Sequence, residues 1–253
     1  GMGGHLGGEV ASAHAIETLL GTVRAGAAGS AVAIASTEVL VEAVLRANER
    51  VHGEGNADPE LRGMGTTLCA IALVGAGEAT QLAVVNVGDS RVYLLRDGEL
   101  EQLTQDHSLV QELVRRGQLT PEEAEGHPMR NVVTRVIGVD PDVEVDWWER
   151  PAAPGDRYLL CSDGLFNEVT EARIAATLRS LADPAEAART LVALANDGGG
   201  RDNITCVVVD VDDGPAPVPP PAGTTGTGAD DEAGRRDDTA VLPTVPPEPV
   251  MIA

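Results

Sequence analysis

Four short segments with strand-like composition follow one another through tight turns, and this pattern constrains the fold more than any other. Residues 66–74, 80–87 and 91–96 are rich in β-branched and apolar side chains. The Asp-Gly pair at 97–98 is typical of a hairpin turn and leads into residues 99–103. Connections this short join antiparallel strands, because parallel neighbours need a long crossover. The pattern therefore predicts antiparallel sheets rather than a parallel doubly wound sheet.

Helical patterns flank these strands on both sides in the sequence. Apolar residues recur at helical spacing over residues 7–24 and again over roughly 30–51, where Ser30 is a candidate N-cap. Further helices are predicted at 108–116, 120–125, 170–181 and 183–196, and further strands at 143–148, 157–161 and 204–211. Separate groups of helices and hairpins predict a layered α+β domain.

The composition changes after Asp212. Nine of the 16 prolines lie beyond it, among Gly, Thr and Asp residues. Such a segment buries too little apolar surface to offset the entropy of ordering it. We therefore expect a domain over residues 1–212 and a disordered, Pro-rich acidic tail over 213–253.

The net charge of the chain and its lack of lysine argue against several functions. The net charge of −22 argues against binding nucleic acid, whose phosphates an acidic surface repels, and against a polybasic membrane anchor. All 18 basic residues are arginine, and without lysine a Walker A loop, a protein kinase site and a pyridoxal phosphate site are excluded. No apolar run approaches the length of a membrane span. A carboxylate-rich chain suits hard divalent cations.

The three cysteines lie in apolar runs, which is typical of core packing in a reducing compartment. A thiol phosphatase would need an arginine six residues after its cysteine. The residues at that spacing from Cys69, Cys161 and Cys206 are Gly75, Asn167 and Asp212. The sequence therefore excludes a thiol mechanism.

Three aspartates, Asp89, Asp163 and Asp202, each stand where a predicted strand meets a turn. Such a position holds a carboxylate rigidly and leaves it open to solvent, as a metal ligand requires. Aspartate is also an ordinary turn residue, so each of the three has a purely structural explanation as well. The residues alone leave both explanations open.

Other metal and phosphate motifs do not fit. Residues 140–144 approach the Asp-x-Asp-x-Thr motif of haloacid-type phosphatases but end in glutamate. Residues 210–214 have the wrong spacing for an EF-hand. The glycine-rich residues 1–8 depart from a dinucleotide-binding fingerprint at Leu6.

An ordered set of short motifs resembles the bacterial metal-dependent protein phosphatases of the 2C type, over residues 1 to about 212. No single motif is specific to this family, but the order and approximate spacing of the whole set are specific to it. The motifs are Gly1-Met2-Gly3-Gly4-His5, Gly8-Glu9-Val10-Ala11-Ser12, Gly65-Thr66-Thr67, Val87-Gly88-Asp89-Ser90-Arg91, Asp106-His107-Ser108, His127-Pro128 with Asn131 and Arg135, Ser162-Asp163-Gly164-Leu165, and Arg201-Asp202-Asn203-Ile204-Thr205.

The resemblance implies a four-layer α/β/β/α sandwich, here lacking its first strands, with a centre of two Mn²⁺ or Mg²⁺ ions at one end. Asp163 and Asp202 resemble ligands of the first ion, and Gly1 resembles the residue whose backbone carbonyl binds the second. Asp89, together with Asp163, resembles the ligands of a third, weaker ion. The implied reaction is attack by a metal-bridging hydroxide on phosphoserine or phosphothreonine of proteins that a Ser/Thr kinase has phosphorylated.

The resemblance also implies a flap over residues 113–136 beside the site, in which Asn131 and Arg135 affect substrate access. In the family, an aspartate that bridges both metals immediately precedes the position of Gly1, and an arginine that holds the phosphate lies further upstream. The sequence starts after both, so we expect an N-terminally truncated phosphatase with impaired activity. His5 is a candidate proton donor, with a histidine at the start of a helix as the alternative.

Two further possibilities remain from the sequence. The chain could be a non-catalytic 2C-like module that binds partners. We expect a cytoplasmic location, although a longer parent protein could be tethered to a membrane through the tail.

Overall fold

Two four-stranded antiparallel sheets form the centre of the protein, in a computed structural model that describes residues 1–2, 4–26, 36–74, 81–212 and 251–252. The first sheet has the order β5-β2-β1-β8 and the second the order β4-β3-β6-β7. The strands are β1 (Leu68–Val74), β2 (Gln81–Val87), β3 (Arg91–Arg96), β4 (Glu99–Gln102), β5 (Asp146–Pro151), β6 (Arg157–Cys161), β7 (Cys206–Asp210) and β8 (Met251–Ile252).

Helices cover the outer faces of both sheets. The helices of the described residues are α1 (Gly4–Gly26), α2 (Thr37–Ala57), α3 (Leu109–Arg115), α4 (Pro121–Glu125), α5 (Asp163–Phe166), α6 (Glu171–Ser180) and α7 (Pro184–Gly198), with a 3₁₀ turn at Pro59–Leu61. Helices α1 and α2 pack on the first sheet, and α5 to α7 pack on the second. The arrangement confirms the expected four-layer sandwich.

The layers form because successive side chains along each strand alternate between the two faces of the sheet. In β1, Ala70 and Ala72 face the helices α1 and α2, whereas Cys69 and Ile71 face the other sheet. Successive side chains of a strand point to opposite faces, so one fully buried strand contributes to two cores. Small side chains face α1 and α2, which lets the helices approach closely in a chain whose aromatic content is 2%.

Several boundaries differ from those predicted. Strand β5 begins at Asp146 rather than at 143, because its pairing with β2 starts there, opposite Asn86 near the end of β2, while Val143 packs against the first core. Strand β7 is shorter at both ends than the predicted 204–211, and the short helix α5 was not predicted.

Helix α2 shows the largest difference. It runs to Ala57, through Gly53 and Gly55, beyond the predicted end of the helix near residue 51. Gly55 is buried in its last turns, where a Cβ would lie 3.3 Å from the Leu61 carbonyl oxygen and 3.5 Å from the Met64 side chain. The glycine therefore allows the following chain to fold back against the helix. The proposed cap Ser30 lies outside the described residues, and the helix begins after Ser36.

The tail also lies outside the described residues, apart from its last strand. Met251 and Ile252 pair antiparallel with Ile71 and Ala70 of β1. The prediction of a disordered tail over 213–253 stays a prediction.

One buried side chain ties helix α2 to the loop that precedes β5. Asn48 is 1% exposed; its amide donates to the carbonyls of Asp140 and Pro141, both at 3.0 Å, and its oxygen accepts from the Gly138 N–H at 2.7 Å. All three hydrogen-bonding partners of Asn48 are backbone groups. If the Asn48 side chain were removed, these buried groups would find few other hydrogen-bonding partners.

We expect Asn48→Ala to lower the free energy of unfolding by about 2–3 kcal/mol, because it leaves buried backbone groups without partners. Urea denaturation measures the change. Glu49→Ala is the matched control, since Glu49 is the next residue of the helix and is exposed, and surface changes usually stay within about 0.5 kcal/mol. Equal effects of the two substitutions would contradict this role of Asn48.

Candidate metal centre and adjoining cavity

The register of the second sheet brings two of the three aspartates to one end. Arg91 pairs with Cys161 across β3 and β6. Asp89 precedes that pair on one strand and Asp163 follows it on the other. Because antiparallel strands run in opposite directions, both side chains lie beyond the same end of the sheet. The pairing of Cys161 with Cys206 places Asp202, just ahead of β7, at that end too.

The turn that carries Asp89 is closely packed. Gly88 has φ of +111°, and a Cβ there would lie 2.4 Å from the Thr67 methyl carbon, so both its conformation and its surroundings require glycine. The hydroxyls of Thr67 and Ser90 are 2.9 Å apart on the other side of the turn. The start of β1 therefore holds the turn between β2 and β3 in place.

Asp163 and Asp202 are brought together by a second close contact. The Ser162 hydroxyl donates to the Asn203 carbonyl at 3.1 Å and accepts from the Thr205 N–H at 3.0 Å. A Cβ on Gly164 would lie 2.3 Å from the same Asn203 carbonyl oxygen. A side chain at position 164 would therefore push the Asp202 loop away from the start of α5.

The three carboxylates act on one another electrostatically. Burial, followed by the negative charges of Asp163 and then Asp106, raises the pKa of Asp89 to about 7. Burial and then the charge of Asp202 raise the pKa of Asp163. Carboxylates that destabilise each other's ionised forms form a site that a cation would stabilise.

Gly1 lies at the same place. Its backbone lies close enough to Asp163 for an electrostatic interaction with that carboxyl. The Met2 N–H donates to the Gly65 carbonyl at 2.6 Å, and the Gly65 N–H donates back to Met2 at 3.1 Å. Gly1 also packs so closely on Gly8 that a Cβ on Gly8 would lie 2.5 Å from the Gly1 carbonyl oxygen. The side chain of His5, the other candidate in this segment, lies outside the described residues.

The donor set fits a hard cation in chemistry but is sparse. Oxygen donors with raised pKa values are suitable ligands for Mg²⁺ or Mn²⁺. Within the described ranges, however, no group of three or more His, Cys, Asp or Glu side chains is placed so that it could hold a metal ion. The carboxylates meet as pairs, Asp89 with Asp163 and Asp163 with Asp202, so backbone oxygen atoms and water would have to complete the coordination.

A cavity of about 560 Å³ adjoins the centre. Asp89 and Asp163 line one wall, and Arg130 and Asn131, from the predicted flap, line another. The side chain of Arg130 is exposed and makes no hydrogen bond or ion pair with any other described residue. The cavity thus has a carboxylate wall and a wall with an available cation.

Arg91 lines the same cavity, but its guanidinium is fully engaged. It makes paired hydrogen bonds to Asp106, with Nε to Oδ1 at 3.0 Å and Nη2 to Oδ2 at 2.7 Å. It donates to the Tyr93 hydroxyl at 2.8 Å and lies 3.7 Å from the centre of the Phe166 ring. The ion pair, the ring contact and the roles of Tyr93 and Phe166 were missed from the sequence, because they join residues far apart in the chain.

Of the two residues predicted in the flap, Asn131 and Arg135, one lines the cavity and the other does not. Asn131 lines the cavity, as expected for a residue that affects access. Arg135 does not line it, because Asp146 and Glu144 hold its guanidinium, at 2.5 Å and 3.0 Å. Its expected direct role in substrate access is therefore not supported by its position. Asp202 also lies outside the cavity lining.

The cysteines are unsuited to nucleophilic chemistry, as the sequence predicts. Burial raises the pKa of Cys161, and it raises the pKa of Cys206 to about 12. Reactive thiols need a lowered pKa instead.

Comparison with known proteins identifies the family. The family described as protein phosphatase 2C matches residues 1–196. The serine/threonine protein phosphatase PstP of Mycobacterium tuberculosis is 45% identical over 213 residues, which make up 84% of this chain and 39% of the relative. The serine/threonine phosphatase stp of Listeria innocua is 39% identical over 83% of this chain and 81% of its own length.

A solved structure supports the same assignment. The catalytic domain of PstP, in complex with two manganese ions, superposes with a TM-score of 0.71 at 42% identity and covers 84% of this chain and 85% of its own. The chain spans about two fifths of the length of the curated mycobacterial relative. On the family match and these identities, the chain belongs to the protein phosphatase 2C family.

Proposed function

We propose that this chain is a metal-dependent phosphatase domain that hydrolyses phosphoserine and phosphothreonine in proteins. The observation that carries the proposal is the meeting of Asp89, Asp163 and Asp202 at one end of the second sheet, where burial and then their negative charges raise the pKa values of Asp89 and Asp163. The names of the relatives, which are serine/threonine phosphatases, support it.

The residues take the following roles in the proposal. Asp163 and Asp202 hold one divalent ion, the backbone carbonyl of Gly1 contributes to a second, and Asp89 with Asp163 holds a third, weaker one. When bound, Mn²⁺ or Mg²⁺ supplies a water of lowered pKa and neutralises phosphoryl oxygens. Arg130, whose guanidinium has no partner among the described residues, contacts the phosphorylated protein from the flap.

The substrates proposed are phosphorylated proteins produced by a Ser/Thr kinase. A cytoplasmic location is part of the proposal, because the three cysteines lie in apolar runs, which is typical of core packing in a reducing compartment. Among the residues that the structure describes, no helix has the length and apolarity needed to cross a membrane.

We further propose that the chain binds its ions weakly and turns over slowly, because among the residues that the structure describes no group of three or more acidic side chains is placed to hold a metal ion. The same sparse set of ligands favours a second candidate function, a non-catalytic module that binds phosphorylated partners. Phosphopeptide hydrolysis with Mn²⁺ distinguishes the two. Peptide binding without phosphate release, in every version of the chain described below, would favour the binding module.

We expect Asp163→Asn to weaken Mn²⁺ binding at least about tenfold, because Asp163 belongs to both carboxylate pairs and ligand charge sets the affinity for divalent ions. Isothermal titration calorimetry measures it. Asp197→Asn, an exposed position on α7, makes the same chemical change away from the site and should leave the affinity unchanged. Unaltered Mn²⁺ binding by the Asp163 variant would refute the assignment of the site.

We expect that an aspartate placed immediately before Gly1 raises both Mn²⁺ affinity and phosphopeptide turnover at least about tenfold, since it adds a carboxylate ligand beside Asp163. Asparagine in the same position is the matched control: it lengthens the chain equally and adds no charge. Calorimetry and phosphate release are the measurements. If both extensions behave alike, the added carboxylate does not reach the metal centre.

We expect Asp89→Asn to stabilise the metal-free protein more at pH 8 than at pH 5. The pKa of Asp89, about 7 in the folded protein, exceeds the 3.8 of an unperturbed aspartate. Between these values the folded state keeps a proton that the unfolded state has lost, so stability falls as the pH rises through this window. Urea denaturation in chelator at the two pH values measures the effect, and an equal gain at both would contradict the repulsion described here.

A further inference from the structure

His107 holds the residue that precedes Asp89 from two sides. Its backbone N–H donates to the Gly88 carbonyl at 2.9 Å, and the Gly88 N–H donates to its ring Nδ1 at 3.0 Å. His107 is 2% exposed and does not line the cavity. It is therefore placed to fix the Asp89 turn without touching a ligand.

These bonds define the state of the imidazole. Because Nδ1 accepts from a backbone N–H, the ring proton of the neutral imidazole is on Nε2. Nε2 lies 3.1 Å from Asp146 Oδ2 and donates to it in this tautomer. Arg135 Nη1 lies 3.0 Å from Nε2 and donates to the other oxygen of the same carboxylate, because a protonated Nε2 cannot accept from it. Burial lowers the pKa of His107, which favours this neutral form.

The same residue is bonded to the flap. The His107 carbonyl accepts from the Thr134 N–H at 2.7 Å, and the Leu109 N–H donates to the Val132 carbonyl at 2.8 Å. The segment that follows Arg130 and Asn131 is thus attached to the chain at His107. Both walls of the cavity, the Asp89 turn and the flap, are linked through this one residue.

We propose that His107 is a positioning residue: through Nδ1 it fixes the Gly88–Asp89 turn against the base of the flap, and so sets the affinity of the Asp89 carboxylate for a divalent ion. The inference rests on the proposed function, because it takes Asp89 to be a metal ligand. It assigns no direct contact between His107 and the metal or substrate.

Two substitutions test the hydrogen bonds of the two ring nitrogens, Nδ1 and Nε2, one at a time. His107→Asn keeps an oxygen acceptor at the position of Nδ1 and loses the contact with Asp146. His107→Gln reaches the position of Nε2 and loses the acceptor for Gly88. The two residues are polar and of similar size, so a merely structural requirement for a buried polar group would affect both variants alike.

Hydrogen exchange of the Gly88 amide, followed by NMR in chelator, tests the hydrogen bond independently of metal and of activity. We expect His107→Gln to accelerate exchange at least about tenfold, and His107→Asn to preserve most of the protection, because loss of an acceptor favours local opening. Equal protection of Gly88 in the wild type and in His107→Gln would overturn the inference.

Calorimetry with Mn²⁺ tests the consequence. Partners that orient a ligand typically contribute about 10–100-fold to metal affinity, so we expect a loss in this range for His107→Gln and a change below about threefold for His107→Asn. A double-mutant cycle with Asp89→Asn is the control: in that background His107→Gln should cause no further loss of affinity, and additive losses would overturn the inference.

The outcomes separate this inference from the proposed function. Wild-type Mn²⁺ binding that is unchanged in His107→Gln would refute the positioning role and leave the proposed function standing. Absence of Mn²⁺ binding in the wild type would refute both. If His107→Gln does not fold, the His107→Asn variant decides: a loss of affinity above about tenfold with the Gly88 amide still protected would overturn the role of Nδ1.

Discussion

The antiparallel pairing of β3 with β6 is the constraint on which the candidate site depends. A shift of this register by one residue would exchange the two faces of the strands and would move Asp89 relative to Asp163. The register is held by cores on both faces, because Tyr93 and Leu159 pack against the outer helices while Val92 and Leu160 pack between the sheets. The acidic residues are therefore positioned by apolar packing that lies behind them.

Glycine completes this positioning at the edge of the site. Gly88 and Gly164 each occupy a place where another atom would lie within 2.4 Å of an added Cβ. Each lies next to a candidate ligand, Asp89 or Asp163. These close approaches, together with the side-chain hydrogen bonds of His107 and Ser162, bring the carboxylates near one another.

Much of the fold could be predicted from the sequence, because hairpin turns and alternation are local signals. The Asp-Gly pair at 97–98 and the apolar strand Arg91–Arg96 were sufficient for their hairpin. The end of α2 could not be predicted, since glycine in a local sequence window indicates the end of a helix. The role of Gly55 depends instead on Leu61 and Met64, which fold back onto it.

The candidate site could be predicted from the sequence only in part. The three aspartates could be recognised as strand-end residues and from the family resemblance, but their mutual effect on pKa depends on distances that only the folded chain defines. Arg135 shows the opposite case. Its place in a motif indicated the cavity, whereas the carboxylates of Asp146 and Glu144, which hold it elsewhere, carry no local signal.

The engagement of Arg91 has a consequence for the order of events at the cavity. Its guanidinium is paired with Asp106 and lies on the Phe166 ring, and its charge opposes the rise in the pKa of Asp89 only in part, since burial and the charge of Asp163 still raise that pKa to about 7. A phosphate monoester, which carries up to two negative charges near neutral pH, is repelled by the ionised carboxylates at that wall. Under the proposed function, divalent ions held by these carboxylates would reverse the polarity of that wall, so the phosphorylated chain would enter the cavity after the ions.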